Sequence, residues 1–163
     1  MGKKVKDIGY EEEIAFEQML ITDNIGRPDL IIIDRQVQEK GIRTRMDLLT
    51  LKQKGNSDYQ FCVIEVKLGN NPELVGKVAT QLEGYVKRLE DKFDIYKKTY
   101  ELNFKQKQEL GLFDKSLNIN IVPDILGVVV VGGYSMIAEK RITDLRAKSP
   151  DIQIIQFKNR INL

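Results

Sequence analysis

The chain has 163 residues, of which 42% are hydrophobic and 31% charged, a composition typical of a single globular domain rather than a disordered chain. Its 26 lysines and arginines against 24 aspartates and glutamates give a net charge of +2, which neither requires nor excludes a nucleic-acid partner. The absence of histidine and the presence of one cysteine exclude His-dependent nucleophiles, His- or Cys-ligated zinc sites and internal disulfides. Any metal would therefore need oxygen ligands, which favour magnesium, manganese or calcium.

The amino-terminal sequence and the single cysteine predict the cellular compartment of the protein. The opening segment MGKKVKDIGYEEE has no apolar stretch of the signal-peptide kind, and no apolar run approaches the roughly 20 residues that span a bilayer. Cys62 lies in an apolar run, as expected for a small buried strand residue in a reducing compartment. We therefore expect a cytoplasmic protein that does not enter a membrane.

The first part of the chain predicts a helix followed by three strands. Apolar residues recur at helical spacing over residues 10–21, which predicts a helix. The segment DLIIIDRQV, residues 29–37, predicts a first strand. The segments TRMDLLTL, residues 44–51, and YQFCVIEVKL, residues 59–68, predict two further strands joined by the turn-rich loop KQKGNSD.

The second part predicts helices that alternate with two strands. A helical pattern begins at Asn71, a predicted N-cap followed by proline, reaches at least residue 93 and can be followed towards Gly111. The wholly apolar run at residues 124–133 predicts a strand buried on both faces, and residues 135–149 and 151–157 predict a helix and a last strand. The order αβββαβαβ predicts an α/β fold with one mixed central sheet flanked by helices.

Charged residues occupy the end of the apolar face of the predicted hairpin. If the turn centres on Asn56, Asp47 faces Glu65, and Arg45 faces Lys67 on the same side. Residues directly opposite in an antiparallel pair have Cβ atoms about 4.5–5.5 Å apart. Two carboxylates at that distance repel each other unless a cation lies between them, and a divalent ion with oxygen ligands is the natural occupant.

Two further polar residues fall in apolar stripes. Glu17 lies between Ile14 and Ile21 on the inner face of the first predicted helix, although Glu13 is near the same face and a small shift in phase would exchange the two. Gln81 lies in the apolar stripe of the helix that follows the third strand. Polar residues at core positions are costly unless they are paired or functional, so both residues are candidates for the site.

The order and spacing of these motifs resemble a known family. MDLLTL, a loop and then IEVK are similar to the D-x(n)-E-x-K core of the PD-(D/E)xK nucleases, and QLEGY is similar to the QxxxY motif of their RecB-like members. IAFEQML, DRQV, RTRMDLL and VIEVKLG in that order resemble NucS-type nuclease domains, although Met46 replaces the usual proline. The resemblance covers residues 10–89 and implies a restriction-endonuclease-like fold. At 163 residues the chain is most simply one nuclease-like domain over residues 1–163, and its carboxy-terminal strand–helix–strand at 124–158 is compatible with the fold but not specific to it.

The resemblance also implies a metal-dependent active site. Asp47 and Glu65 would bind Mg²⁺ or Mn²⁺ with help from the backbone carbonyl of Val66, and Glu17 would be an additional ligand or hold a water at the metal. Lys67 would orient or activate the attacking water, or stabilise charge on the phosphate. Phosphodiester hydrolysis needs a Lewis acid, a deprotonated water and cations near the phosphate, none of which requires histidine.

The remaining implied roles concern the water and the nucleic acid. Gln81 would position Lys67 or the water, Tyr85 would support the nucleic-acid backbone, and Arg35 and Arg45 would contact phosphates. The implied function is a DNA endonuclease acting in repair or in defence against foreign DNA. A nuclease of this size can cut both strands most simply as a two-fold homodimer.

Two readings from other classes stay open at the level of sequence. The chain can be a catalytically inactive nuclease-fold domain that only binds nucleic acid, or a protein-interaction domain in which Asp47, Glu65 and Lys67 form structural ion pairs. The lysines of the long helical region, at residues 87–107, indicate either a solvated helix face or a groove wall that follows a phosphate backbone.

Overall fold

The computed structural model describes residues 2–41, 43–133 and 135–157. The elements in chain order are α1 (Gly2–Asp23), β1 (Leu30–Val37), β2 (Met46–Gln53), β3 (Asp58–Leu68), α2 (Glu73–Gly76), α3 (Val78–Asp91), α4 (Phe93–Glu109), β4 (Asn120–Gly132), α5 (Met136–Lys148) and β5 (Gln153–Gln156). The predicted α/β class and the order of the strands are confirmed. The first residue and residues 158–163 of the domain predicted over the whole chain lie outside the described residues.

One mixed sheet of five strands, in the order β1-β2-β3-β4-β5, organises the fold. β1, β2 and β3 pair antiparallel, and β3, β4 and β5 pair parallel. Leu51 pairs with Phe61 and Leu49 with Val63, so the predicted hairpin register is confirmed. Because β2 and β3 run antiparallel, the carboxyl end of β3 lies beside the amino end of β2.

The helical region predicted from residue 71 is interrupted twice. Lys77 and Lys92 have φ near −120° (−124° and −122°), outside the helical range, and they separate α2 from α3 and α3 from α4. The turn at Lys92 lets α4 lay Tyr100 edge-on against Phe61 of β3. α2 begins one residue later than predicted, with Pro72 at the N-cap and no side-chain cap, and Asn71 Oδ1 accepts a hydrogen bond from the Glu73 N–H at 2.9 Å.

Two hydrophobic clusters cover the two faces of the sheet. α1 contributes Leu20 to one cluster, with Leu48 of β2 and Val130 of β4. α3 and α4 pack on the other face, where Tyr85 and Phe104 join the buried residues. No helix of the described residues is both long enough and apolar enough to cross a membrane.

Cys62, the only cysteine, is the small buried strand residue that its apolar run predicts. It lies on β3, fully buried in the cluster beneath α1. Burial raises the pKa of its thiol to about 12, with Thr50 lowering it in part. The thiol therefore stays protonated and unreactive at neutral pH.

Two glycines are expected to respond in opposite directions to a methyl group. A Cβ on Gly69, at the end of β3, would overlap the Cβ of Ala138 on α5, whereas a Cβ on Gly84 inside α3 meets nothing. We expect Gly69→Ala to lower the free energy of unfolding by about 1–3 kcal/mol because two backbones must separate. We expect Gly84→Ala to raise it by about 0.5–1 kcal/mol through helix propensity. Urea unfolding of both variants measures this, and equal effects would contradict the close approach of β3 and α5.

Candidate functional site

A cavity of about 290 Å³ opens where β2 begins and β3 ends, between α1 and the start of α3. Eight of the nine residues predicted for the site line it, namely Glu17, Arg45, Asp47, Glu65, Val66, Lys67, Gln81 and Tyr85. The ninth, Arg35, instead contacts Glu17, with 3.1 Å between Nη2 and Oε1. The site therefore draws on helices from both layers and on adjoining strand ends.

Lys67 lies between the carboxylates of Asp47 and Glu65, one step beyond Leu48 and Ile64, the last paired residues of the hairpin. Its Nζ is 2.9 Å from Glu65 Oε1 and 3.7 Å from Asp47 Oδ2. Asp47 Oδ2 also accepts a hydrogen bond from the Val66 N–H at 2.8 Å. Glu65 and Lys67 are 2% and 6% exposed, so little solvent screens their interaction. The cation that the sequence required between these acids is, in this structure, the ammonium group of Lys67.

Burial and neighbouring charges both shift the pKa values of Asp47, Glu65 and Lys67. Burial, reinforced by repulsion from Asp47, raises the pKa of Glu65 to about 7. Burial also raises the pKa of Asp47, against the attraction of Lys67. Burial alone would lower the pKa of Lys67, but Glu65 and Asp47 outweigh it and raise the pKa. The site therefore holds a carboxyl group that titrates near neutral pH beside a lysine that stays charged, as is common at catalytic sites.

Glu17 lies inside the fold, as its place in the apolar stripe predicted. It is 3% exposed, and Gln36 Nε2 donates to its Oε2 at 2.6 Å. Burial raises the pKa of Glu17, whereas the hydrogen bond from Gln36 lowers it. Glu13, the alternative on the same helix, also lines the cavity, where its Oε1 accepts from the Leu68 N–H at 3.2 Å and from Asn71. Both residues therefore belong to the site, Glu17 at its base and Glu13 at the end of β3.

Gln81 and Tyr85 of α3 reach the cavity from the other layer. Gln81 Oε1 is buried and has no hydrogen-bond partner among the residues the structure describes. Tyr85 is 1% exposed, and its hydroxyl donates to the backbone carbonyl of Arg45 at 2.7 Å. Tyr85 thus fixes the segment that leads into β2, and Arg45 carries an exposed side chain at the mouth of the cavity.

One predicted pairing does not form. Arg45 was expected opposite Lys67, but β2 begins at Met46 and its pairing with β3 ends at Leu48–Ile64. The chain before Met46 leaves the sheet, because Tyr85 holds the Arg45 carbonyl towards α3. Arg45 therefore lies at the rim, whereas Lys67 lies inside.

The oxygen atoms around the cavity fit a hard divalent cation. Glu65 Oε2 is buried without a hydrogen-bond partner in the described part of the chain, as is Gln81 Oε1. Because the N–H and C=O of a strand residue point to the same side, the Val66 carbonyl faces the same edge as its N–H to Asp47. Among the side chains that the structure describes, no three acidic, histidine or cysteine groups lie close enough to hold a metal by themselves. Glu17 thus does not complete a three-acid cluster with Asp47 and Glu65.

Gln36 is the functional candidate that sequence reasoning missed. It lines the cavity and contacts Glu17 and Asp47, yet the sequence shows only a glutamine near the end of a predicted strand. The available signal was its position within the DRQV segment that carried the family resemblance.

Compared with known proteins, the chain matches no family model, no curated protein and no solved structure.

Proposed function

We propose that this protein is a divalent-metal-dependent nuclease of the PD-(D/E)xK type, with a restriction-endonuclease-like fold and DNA as the favoured substrate. The observation that carries the proposal is the convergence of Asp47, Glu65 and Lys67 at adjoining strand ends inside one cavity. The succession of a helix, three antiparallel strands, helices and a parallel strand supports the same family.

The donor set supports Mg²⁺ or Mn²⁺ as the cofactor. Asp47, the free oxygen of Glu65 and the Val66 carbonyl would hold the ion, with Glu17 placed to hold a water nearby. The ion would supply Lewis acidity at the phosphoryl group and lower the pKa of the attacking water. Hard oxygen donors and the absence of histidine and of further cysteines favour these two ions over zinc.

The chain's own groups would handle the phosphate and the water. Lys67 would donate to a phosphate oxygen, or to the attacking water, as negative charge develops in the transition state. The unpaired amide oxygen of Gln81 would accept a hydrogen bond from that water or from Lys67. Arg45 at the mouth and Arg35 beside Glu17 would contact the flanking phosphates.

One observation favours a second candidate function. Lys67 already supplies one positive charge between the two carboxylates, so the cluster is compatible with a structural ion-pair group that needs no metal. In that case the chain would be an inactive nuclease-fold domain that binds nucleic acid or a protein partner. The two candidates differ in whether a divalent ion binds the folded state and stabilises it.

The test is cleavage of a panel of labelled DNAs and RNAs in Mg²⁺, Mn²⁺ or EDTA. We expect the wild-type protein to cut DNA with either metal and not in EDTA. Glu65→Gln removes one ligand charge at nearly constant volume, and we expect its rate to fall by about 100-fold or more. Asp124→Asn is the matched control, since Asp124 pairs with Lys54 on the exposed surface and should cut at the wild-type rate.

The opposite result is equally specific. If the wild-type protein cuts none of the substrates, and neither ion raises its melting temperature, the nuclease proposal fails. The charged cluster would then be structural. Binding of DNA without cutting, in the presence of either ion, would identify the inactive nucleic-acid-binding domain.

A further inference from the structure

Gln36 has a backbone conformation that a strand residue rarely adopts. Its φ is 51°, and it is the only non-glycine residue with positive φ among the residues described. A long side chain in this left-handed region costs on the order of 1–3 kcal/mol, so such a residue persists only where its surroundings require it. Contacts with surrounding residues must therefore hold Gln36 in this conformation.

An irregularity in β1 determines what Gln36 faces. Ile32 pairs with Thr50 but Asp34 pairs with Leu49, so Ile33 is an extra residue in the ladder. Arg35 then pairs with Leu48 and Val37 with Met46, which puts Gln36 opposite Asp47. Without the extra residue, Arg35 would take that place, because a one-residue slip exchanges the faces of a strand.

The side chain of Gln36 bridges two carboxylates from different layers. Its Nε2 is 2.6 Å from Glu17 Oε2 on α1 and 3.5 Å from Asp47 Oδ1 on β2. Arg35, its neighbour in sequence, contacts the other oxygen of Glu17 at 3.1 Å. Consecutive strand residues ordinarily point to opposite faces, so both reach Glu17 only because the backbone turns at Gln36.

We propose that Gln36 is a positioning residue for the metal-dependent reaction: its amide holds Glu17 and Asp47 in the one arrangement that lets them receive a cation and its water. This inference rests on the proposed nuclease function. The amide group donates to both acids without adding charge, so it fixes their orientation and leaves their negative charge for the cation. Hydrogen-bonding partners of this kind fix metal-binding side chains, and their loss typically costs about 10–100-fold in metal affinity or activity.

Two substitutions distinguish the role of the Gln36 side-chain amide from the role of its backbone conformation. Gln36→Met keeps the length of the side chain and removes the donor. Gln36→Gly removes the donor as well but also relieves the left-handed strain, which offsets part of the cost of taking a hydrogen-bond donor from the buried Glu17. Gln53→Met is the matched control, because Gln53 lies at the other end of β2 and its side-chain amide donates to the nearby Asn56 carbonyl.

The experiment measures two quantities on the folded variants. Calorimetric titration with Mn²⁺, without nucleic acid, gives metal affinity, and cleavage of the preferred labelled DNA gives kcat and KM. We expect both Gln36 variants to bind Mn²⁺ about 10-fold more weakly and to lose about 10–100-fold in kcat. We expect KM for DNA to change little, because the role inferred for Gln36 acts through Glu17 and Asp47, and we expect Gln53→Met to match the wild type.

Each other outcome overturns the inference in a recognisable way. If Gln36→Gly behaves like the wild type while Gln36→Met is impaired, the position needs only its backbone and the amide has no role. If both variants keep wild-type Mn²⁺ affinity and kcat, Gln36 does not position the acids, and the nuclease function stands without it. If the wild-type protein neither binds Mn²⁺ nor cuts DNA, the proposed function fails and this inference fails with it.

Discussion

Replacing Lys67 by methionine is expected to lower the free energy of unfolding by about 3–5 kcal/mol at about pH 8, where the neighbouring carboxylates are ionised. Lys67 is the cation between Glu65 and Asp47, and all three side chains are largely withdrawn from solvent. Removing one partner of a buried ionic group leaves uncompensated charge, which costs more than the pair itself contributes. Urea unfolding, monitored by circular dichroism, measures the change.

A matched control separates burial from charge. Lys77→Met removes a lysine whose side chain is 71% exposed and which pairs with Glu73 at 3.4 Å, so we expect a change below about 1 kcal/mol. The double variant Glu65→Gln with Lys67→Met should recover part of the loss, because one of the two unpaired charges is gone. Equal costs for Lys67→Met and Lys77→Met would show that solvent reaches Lys67 and would contradict the buried cluster.

The Lys67→Met variant also tests whether a divalent metal ion binds beside Glu65 and Asp47. With the ammonium group absent, a divalent ion is the remaining cation that can lie beside Glu65 and Asp47. We therefore expect Mn²⁺ to raise the melting temperature of Lys67→Met more than that of the wild-type protein, while cleavage stays low because the lysine is missing. No thermal shift in either protein would favour the structural ion-pair reading.

The stability of the protein is expected to fall as the pH rises from about 4.5 to about 7, opposite to the usual behaviour of a paired carboxylate. Burial raises the pKa of Glu65 from 4.5 to about 7 in the folded state. Between these values folded Glu65 keeps a proton that the unfolded chain has released, so raising the pH favours unfolding. The contribution is fully present below about pH 4.5, is lost through about pH 7, and amounts to about 3 kcal/mol at most.

Glu65→Gln tests this assignment, because glutamine cannot ionise. We expect unfolding free energies of the variant, measured in urea without divalent metal, to fall less steeply than those of the wild type over this pH range. Asp47 and Glu17, whose pKa values burial also raises, act in the same direction and account for the remaining slope. Glu83→Gln, an exposed change on α3, serves as the control and should follow the wild-type curve. If the unfolding free energies of the wild type and Glu65→Gln vary with pH in parallel, Glu65 is not the titrating group.

Sequence by itself determined the parts of the site that depend on local periodicity. Asp47, Glu65 and Lys67 lie on one hairpin, whose register follows from two alternating apolar strands and one turn, and the structure has that register. The helical stripe predicted Glu17 on an inner face, with Glu13 as the alternative, and Glu17 is 3% exposed. Such patterns are legible because burying one face of a strand or helix constrains residues close together in the chain.

Only the tertiary structure decided how these pieces meet. The interruptions at Lys77 and Lys92 allow α4 to pack its aromatic residues on β3. Helix propensities do not predict that packing. The extra residue at Ile33 and the left-handed backbone of Gln36 bring a glutamine between α1 and β2. Their energetic cost is offset by contacts with residues far along the chain, which no local pattern encodes. For the same reason, the sequence indicated a cation between two acids, and only the folded chain supplied it from Lys67 itself.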